Sequence, residues 1–217
     1  MRKTIIICLL MIMAGCAQND RNKLVVCCAG DSLMRPIPYH LREMLKSPHR
    51  KIDIRDWSQG GLSSQSYQIF FTRHYLSWRK VKPDFILIQL GTNDLIPLLN
   101  NKYQMADFEK NLNTIIKNFK RFKGNRYKRP KIFMASVPLC YDDSNSKEKN
   151  RLVREEINPA IKKIAKIEKL FLVDNFLILT DKTHLYSPDG VHPSPLGEKA
   201  IAKNWLLGIR CELRKDY

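Results

Sequence analysis

Acidic side chains are scarce in this chain. Its 21 Asp and Glu stand against 38 Lys and Arg, a formal net charge of +17. The imbalance points away from basic partners. It leaves nucleic acid, an anionic membrane surface or an acidic polymer, beside the plainer reading of a lysine-rich, solvated surface. Cysteine is also sparse: six residues, too scattered for a disulfide framework. Cys27 and Cys28 are adjacent and read as small buried hydrophobes, while Cys140 and Cys211 stand apart. No cysteine pair has metal-ligand spacing with a histidine, which excludes a zinc-built core. Internal repeats and low-complexity stretches are lacking, and no composition break marks a second domain. What remains is 217 residues, 44% hydrophobic and 27% charged, enough for one globular domain with a sizeable core.

The first candidate membrane element is Thr4 to Ala14, too short to span a bilayer comfortably. It follows Arg2 and Lys3, so it reads as the apolar core of a signal segment. Met13-Ala14-Gly15-Cys16 resembles a bacterial lipobox, with Met13 where Leu is usual. The resemblance implies removal of residues 1–15 as a lipoprotein signal peptide and acylation of Cys16. Ordinary cleavage near Gly15 and an uncleaved anchor are the alternatives. All three place the domain outside the cytoplasm, facing the periplasm or cell exterior. A lipid anchor with basic charge holds a protein near an anionic membrane. Residues 16–23 read as a polar tether and residues 24–217 as a single domain.

Strand and helix patterns then alternate. Leu24 to Ala29 is a short apolar run, too brief for a helix, that ends in Gly30-Asp31-Ser32. A helix through Leu41 and Leu45 follows two prolines, Pro36 and Pro38. Lys51 to Arg55 reads as a second strand, and Trp57 to Leu62 as a loop. Helical spacing over about 64–79 precedes the strongest strand, Asp84 to Leu90, which runs into Gly91-Thr92-Asn93-Asp94. A helix over about 105–122, a strand over 132–137, a helix over about 148–166, a strand over 170–174 and a last helix over about 195–208 complete the pattern. Five such alternations predict a three-layer α/β/α sandwich on a five-stranded parallel sheet, flavodoxin-like, with right-handed crossovers. The first and third strands then lie side by side at the switch point, where ligands bind. That brings Ser32 next to Asn93.

Acyl chemistry on a serine needs a hydroxyl, a base, a group that orients the base, and donors for the oxyanion. On Ser32 alone, capping of the next helix competes with nucleophile. His192 is the best base, because Gly190 and Pro193 shape a fixed turn around it. Asp189, three residues earlier, can bind one imidazole nitrogen and leave the other for Ser32. Asn93 offers a side-chain amide, Gly61 a backbone N–H, and Ser32 its own N–H. Asp174 is a rival orienter at a strand end. Asp31 and Asp94 read as braces of their turns. His40, His49, His74 and His184 lack any comparable setting.

Together these residues resemble the SGNH subgroup of the GDSL esterase/lipase family. Gly30-Asp31-Ser32-Leu33 matches its nucleophile block and Gly91-Thr92-Asn93-Asp94 its Gly-x-Asn-Asp block. Asp189-Gly190-Val191-His192-Pro193 matches its Asp-x-x-His block. Ser58-Gln59-Gly60-Gly61 is the loosest fit: Asp56 stands where the family often has Asn, and Gly60 competes with Gly61. The resemblance covers about residues 24–212. It implies a catalytic triad of Ser32, His192 and Asp189, and an oxyanion hole of Ser32, Gly61 and Asn93. It also implies no metal and no organic cofactor.

The expected activity is hydrolysis of carboxylic esters, with acetyl or short acyl groups on carbohydrate as the first substrate class. A lysophospholipase or thioesterase is the alternative, acyl transfer to a sugar a variant, and an inactive glycan-binding lipoprotein the reading from a different class. Trp57, Tyr39 and Tyr141 are candidates for stacking on a sugar or lining an acyl pocket, or for ordinary packing. Lys117 to Lys131 holds eight basic residues interleaved with Phe119, Phe122 and Tyr127, a pattern shared with nucleic-acid patches. In an exported protein it reads instead as a solvated or membrane-facing helix end, with no nucleic acid bound.

Overall fold

The computed structural model describes residues 23–46, 51–142 and 145–214. The signal segment, Cys16, His49 and all of the tether but Lys23 lie outside them. Five strands form one sheet: β1 (Lys23–Gly30), β2 (Lys51–Ser58), β3 (Phe85–Gln89), β4 (Lys131–Ala135) and β5 (Phe171–Val173). Their order is β2-β1-β3-β4-β5 and every pairing is parallel. β1 starts at Lys23, whose ammonium lies 2.8 Å from the Asp53 carboxylate on β2. The expected switch point is present: β1 and β3 are neighbours, with Gly30 opposite Gln89.

Alternation along the strands builds two cores. Val25, Cys27, Ala29, Ile86, Ile88, Ile132 and Met134 face one way. Against them pack α2 (Ser64–Trp78), α4 (Met105–Phe119) and α6 (Asn158–Ile167). α4 presents Phe108, Leu112, Ile115, Ile116 and Phe119, all fully buried, as one helical stripe. Leu24, Val26, Cys28, Phe85, Leu87, Phe133 and Ala135 face the other way, onto α1 (Ile37–Met44) and α8 (Pro195–Arg214). Trp205 of α8 is completely buried there. Cys27 and Cys28 thus lie on opposite faces, and these two and Cys211 are free thiols. Leaving both faces covered requires the near-continuously apolar strands that the chain has.

Several elements differ from the sequence reading. β2 continues through Trp57, because its backbone pairs with Ala29 and Gly30 of β1. Trp57 is therefore core: its ring stacks on Trp78 with centroids 4.6 Å apart. The helix expected over 148–166 is α5 (Ser146–Leu152) and α6 joined by a wide π turn, Val153–Ile157. Pro159 explains it, since it has no N–H for the Glu155 carbonyl and its ring crowds that turn. Two short helices, α3 (Leu95–Leu99) and α7 (Asn175–Leu179), occupy stretches to which the sequence pattern assigns no element. α8 runs six residues past its expected end, to Arg214, because Ile209 and Glu212 still face inward. In the basic stretch, Phe119 and Phe122 are buried and Tyr127 stacks on Phe85, so no exposed aromatic platform forms there. That stretch enters the sheet at the start of β4, the end opposite Ser32.

Candidate active site

The carboxyl ends of β1 and β3 carry the site. The chain leaves β1 at Gly30, where a Cβ would stand 2.2 Å from the Gln89 carbonyl oxygen. Only glycine lets β1 approach β3 this closely, and the approach sets the height of Ser32 above the sheet. The Asp31 N–H donates to the Gln89 carbonyl at 3.1 Å, and the Gln59 N–H to the Gly30 carbonyl at 2.9 Å. The corner is thus tied to both neighbouring strands. Asp31 is fully buried, and its Oδ1 accepts the Leu33 N–H at 3.0 Å. Its Oδ2 has no partner among the described residues. Burial pushes this carboxyl up to about 7, against the pull of the Leu33 N–H and reinforced by the Asp94 charge.

The third segment is the turn before α8. Ser187 N–H donates to the His192 carbonyl at 2.7 Å and Gly190 N–H to the Ser187 carbonyl at 2.9 Å. Tyr141 N–H donates to the Gly190 carbonyl at 2.7 Å, which fastens the turn to the strand-end loop after β4. Within it, Asp189 Oδ1 accepts the N–H groups of Val191 and His192, at 3.0 and 2.9 Å. Asp189 Oδ2 lies 2.7 Å from His192 Nδ1, and His192 Nε2 lies 2.9 Å from Ser32 Oγ. Desolvation, the largest single influence, opposes ionisation of Asp189. The hydrogen bonds from the His192 backbone and ring and from Val191 outweigh it and hold the carboxyl below its usual value. An ionised Asp189 accepts from Nδ1–H, which leaves Nε2 with its lone pair toward the serine hydroxyl. The side chains of His192 and Asp189 are 45% and 51% exposed, so this relay lies in a shallow, open site.

Asn93 follows β3 in a 3-10 turn, Thr92–Asp94, and is half-buried. Its Nδ2 donates to the Leu62 carbonyl at 3.2 Å, so it meets the Gly60-Gly61-Leu62 loop. Asp94 is the brace that holds this meeting. Its carboxylate accepts the Ser64 N–H at 2.9 Å, the Ser64 hydroxyl at 2.6 Å and the Tyr103 hydroxyl. Burial raises its pKa against those three donors. Gly61 has φ +77 and open space where a Cβ would stand, whereas a Cβ at Gly60 would lie 3.7 Å from Ser32 Cβ. Gly60 therefore lies directly beside the serine, and Gly61 follows it in a left-handed turn. Asp174 is elsewhere employed: it caps α7 through the Leu177 N–H and accepts the Ser136 hydroxyl at 2.7 Å. Tyr141 packs on Tyr186, ring centroids 4.9 Å apart, beneath the histidine turn.

Two features of the site had no sequence signal. Beneath the corner, Asn175 Nδ2 donates to Gln89 Oε1 at 2.8 Å and Asn204 Nδ2 to Asn175 Oδ1 at 3.0 Å. This buried relay joins α8 and α7 to β3. Arg35, three residues past the serine, lies across from Gly60.

The profile of the GDSL-like lipase/acylhydrolase family matches residues 50–205. The match begins beyond the Gly30-Asp31-Ser32-Leu33 block, and the fold brings that block to the matched part. An acetylxylan esterase of Xylanibacter ruminicola is 26% identical over 145 residues, 59% of this chain. The match spans 29% of that relative's length. Among solved structures, a GDSL-like lipase from Bacteroides thetaiotaomicron superposes with a TM-score of 0.67 at 17% identity, over 94% of this chain and 96% of its own. An acetylxylan esterase from Geobacillus stearothermophilus gives 0.66 at 18% identity, over 86% and 93%. At these identities the structural likeness speaks to fold.

Proposed function

Because the chain belongs to the GDSL-like lipase/acylhydrolase family, we propose that it is a serine esterase that removes acetyl or other short acyl groups from carbohydrate. The observation that carries this reading is the unbroken line from Asp189 through His192 to Ser32, at 2.7 and 2.9 Å. Ser32 Oγ attacks the ester carbonyl as its proton passes to His192 Nε2. The oxyanion of the tetrahedral intermediate takes hydrogen bonds from the Ser32 N–H, the Gly61 N–H and Asn93 Nδ2. To serve, Asn93 turns from the Leu62 carbonyl or shares its second N–H. The imidazolium, held by Asp189, returns the proton to the leaving alcohol oxygen as the C–O bond breaks. Water then enters, gives its proton to His192 and attacks the acyl-enzyme. Collapse releases the acid, and His192 reprotonates Ser32.

Carbohydrate is favoured by two observations. Relatives in sequence and in fold are named acetylxylan esterases. The open setting of His192 and Asp189 suits a bulky, hydrated alcohol and a small acyl group. The test is an ester panel of acetylated oligosaccharides, lysolipids, acyl thioesters and p-nitrophenyl acetate, with Ser32→Ala as control. Acetylated glycans are expected to be the best natural esters and the variant to be inactive. Turnover that rises with acyl length turns the assignment to a lysophospholipase or thioesterase. Retained activity in Ser32→Ala overturns the nucleophile. We place the enzyme outside the cytoplasm, held by acylated Cys16, a reading supported by the sequence at 13–16. Palmitate labelling that survives Cys16→Ala contradicts it.

A further inference from the structure

We propose that Arg35 forms a carboxylate subsite beside Ser32, so that the preferred substrates are acylated glycans carrying a uronic acid next to the ester. The inference rests on the esterase reading above. Arg35 is exposed at the active-site end of the fold, just before α1. Arg35 Nη1 and Ser32 Cβ both lie within 4 Å of the point where a side chain on residue 60 would begin, at 3.9 and 3.7 Å. Residue 60 is glycine, so no side chain stands between Arg35 and Ser32 at that point. The Arg35 side chain and Ser32 thus flank the same stretch of the Gly60 backbone, which puts the guanidinium within reach of a group carried by an ester held on Ser32.

The guanidinium is also unspent. Arg35 makes no ion pair within 4 Å among the described residues. Glu198, Glu43, Asp189 and Asp56 each have another partner: His40 at 3.1 Å, Lys46 at 2.7 Å, His192, and the N–H and hydroxyl of Ser58. Arg42, the other arginine of this segment, donates instead to the Ile54 carbonyl at 2.8 Å. A planar guanidinium presents paired N–H donors that match a carboxylate. The chain's excess of cations draws an acidic polymer toward the site in addition, without choosing where its carboxylate binds.

The test uses two acetylated oligosaccharides matched in length and acetylation. One carries a uronic acid and the other has that carboxyl reduced to the alcohol. The wild-type protein is expected to favour the acid by about tenfold in kcat/KM, mainly through KM, since such a contact binds ground and transition states alike. Arg35→Gln is expected to lose the preference and Arg35→Lys to keep part of it. Equal rates on both sugars in the wild type overturn the subsite while leaving the esterase intact. A preference that persists in Arg35→Gln and fades only with added salt assigns it to overall charge and also overturns the subsite. Hydrolysis of p-nitrophenyl acetate with neither oligosaccharide turned over overturns the glycan reading and this inference together. A thermal melt of each variant separates these outcomes from misfolding.

Discussion

Replacing Asp31 by Asn should change how stability depends on pH. The residue is fully buried in the Gly30-Asp31-Ser32 corner, and burial lifts its carboxyl from an ordinary 3.8 to about 7. A raised carboxyl keeps its proton longer in the folded state than in the unfolded chain. Between the two values the folded state binds more protons, so stability falls as pH rises from about 4 to about 7 and is level above. Each unit is worth about 1.4 kcal/mol, so passing from pH 5 to pH 8 costs roughly 2–3 kcal/mol at this one site. That is a large share of the ~5–15 kcal/mol that holds a typical domain. The amide introduced by Asp31→Asn would still accept the Leu33 N–H through its oxygen but cannot ionise. Urea unfolding of both proteins at pH 5 and pH 8, followed by the buried Trp57, Trp78 and Trp205, gives the double difference. Every other titrating group largely cancels in it. The Asn variant should gain about 2–3 kcal/mol on the wild type between the two pH values. Parallel shifts, or a gain by the wild type at pH 8, refute the burial argument.

Three further outcomes follow from the geometry. Asn93→Ala should lower kcat on p-nitrophenyl acetate by ~10²–10³ with KM little changed, because the amide acts on the oxyanion and not on the bound ester; an unchanged kcat removes it from that role. Asp189→Asn should cost ~10²–10⁴ in kcat, since a neutral amide no longer fixes the Nδ1–H tautomer, with a near-native melting temperature because the side chain is half exposed. Gly30→Ala should destabilise the fold by about 2–3 kcal/mol, as its Cβ meets the Gln89 carbonyl oxygen at 2.2 Å and forces β1 away from β3. Activity should fall with it, and an unperturbed melt denies the close approach.

Much of the fold was legible because its strands are buried on both faces. Leu24–Ala29 and Phe85–Gln89 are continuous apolar runs bounded by turn residues, and little else in the chain competes for that reading. The contact between Asp189 and His192 was legible for a related reason: the two meet across three residues, a spacing local enough to see in sequence. Trp57 was not, because Ser58-Gln59-Gly60-Gly61 announces a loop while strand pairing with β1 extends one residue beyond the tryptophan. α3 hid behind Pro97 and its five-residue length. The brace between Asp94 and Ser64 spans 30 residues and depends on two elements docking, which no local pattern records. The same holds for Asn175 against Gln89, 86 residues apart. Arg35 sits three residues from the serine, yet nothing in the sequence shows that it faces Gly60.

Intact-mass analysis after reaction with a fluorophosphonate tests the central claim most directly, because the probe bonds only to a serine whose hydroxyl is activated by its neighbours. One adduct is expected on the wild-type protein, mapped by peptide sequencing to Ser32, and none on Ser32→Ala or, at the same exposure, on His192→Ala. An unlabelled wild-type protein, or an adduct on any other residue, would contradict the assignment of Ser32 as the nucleophile.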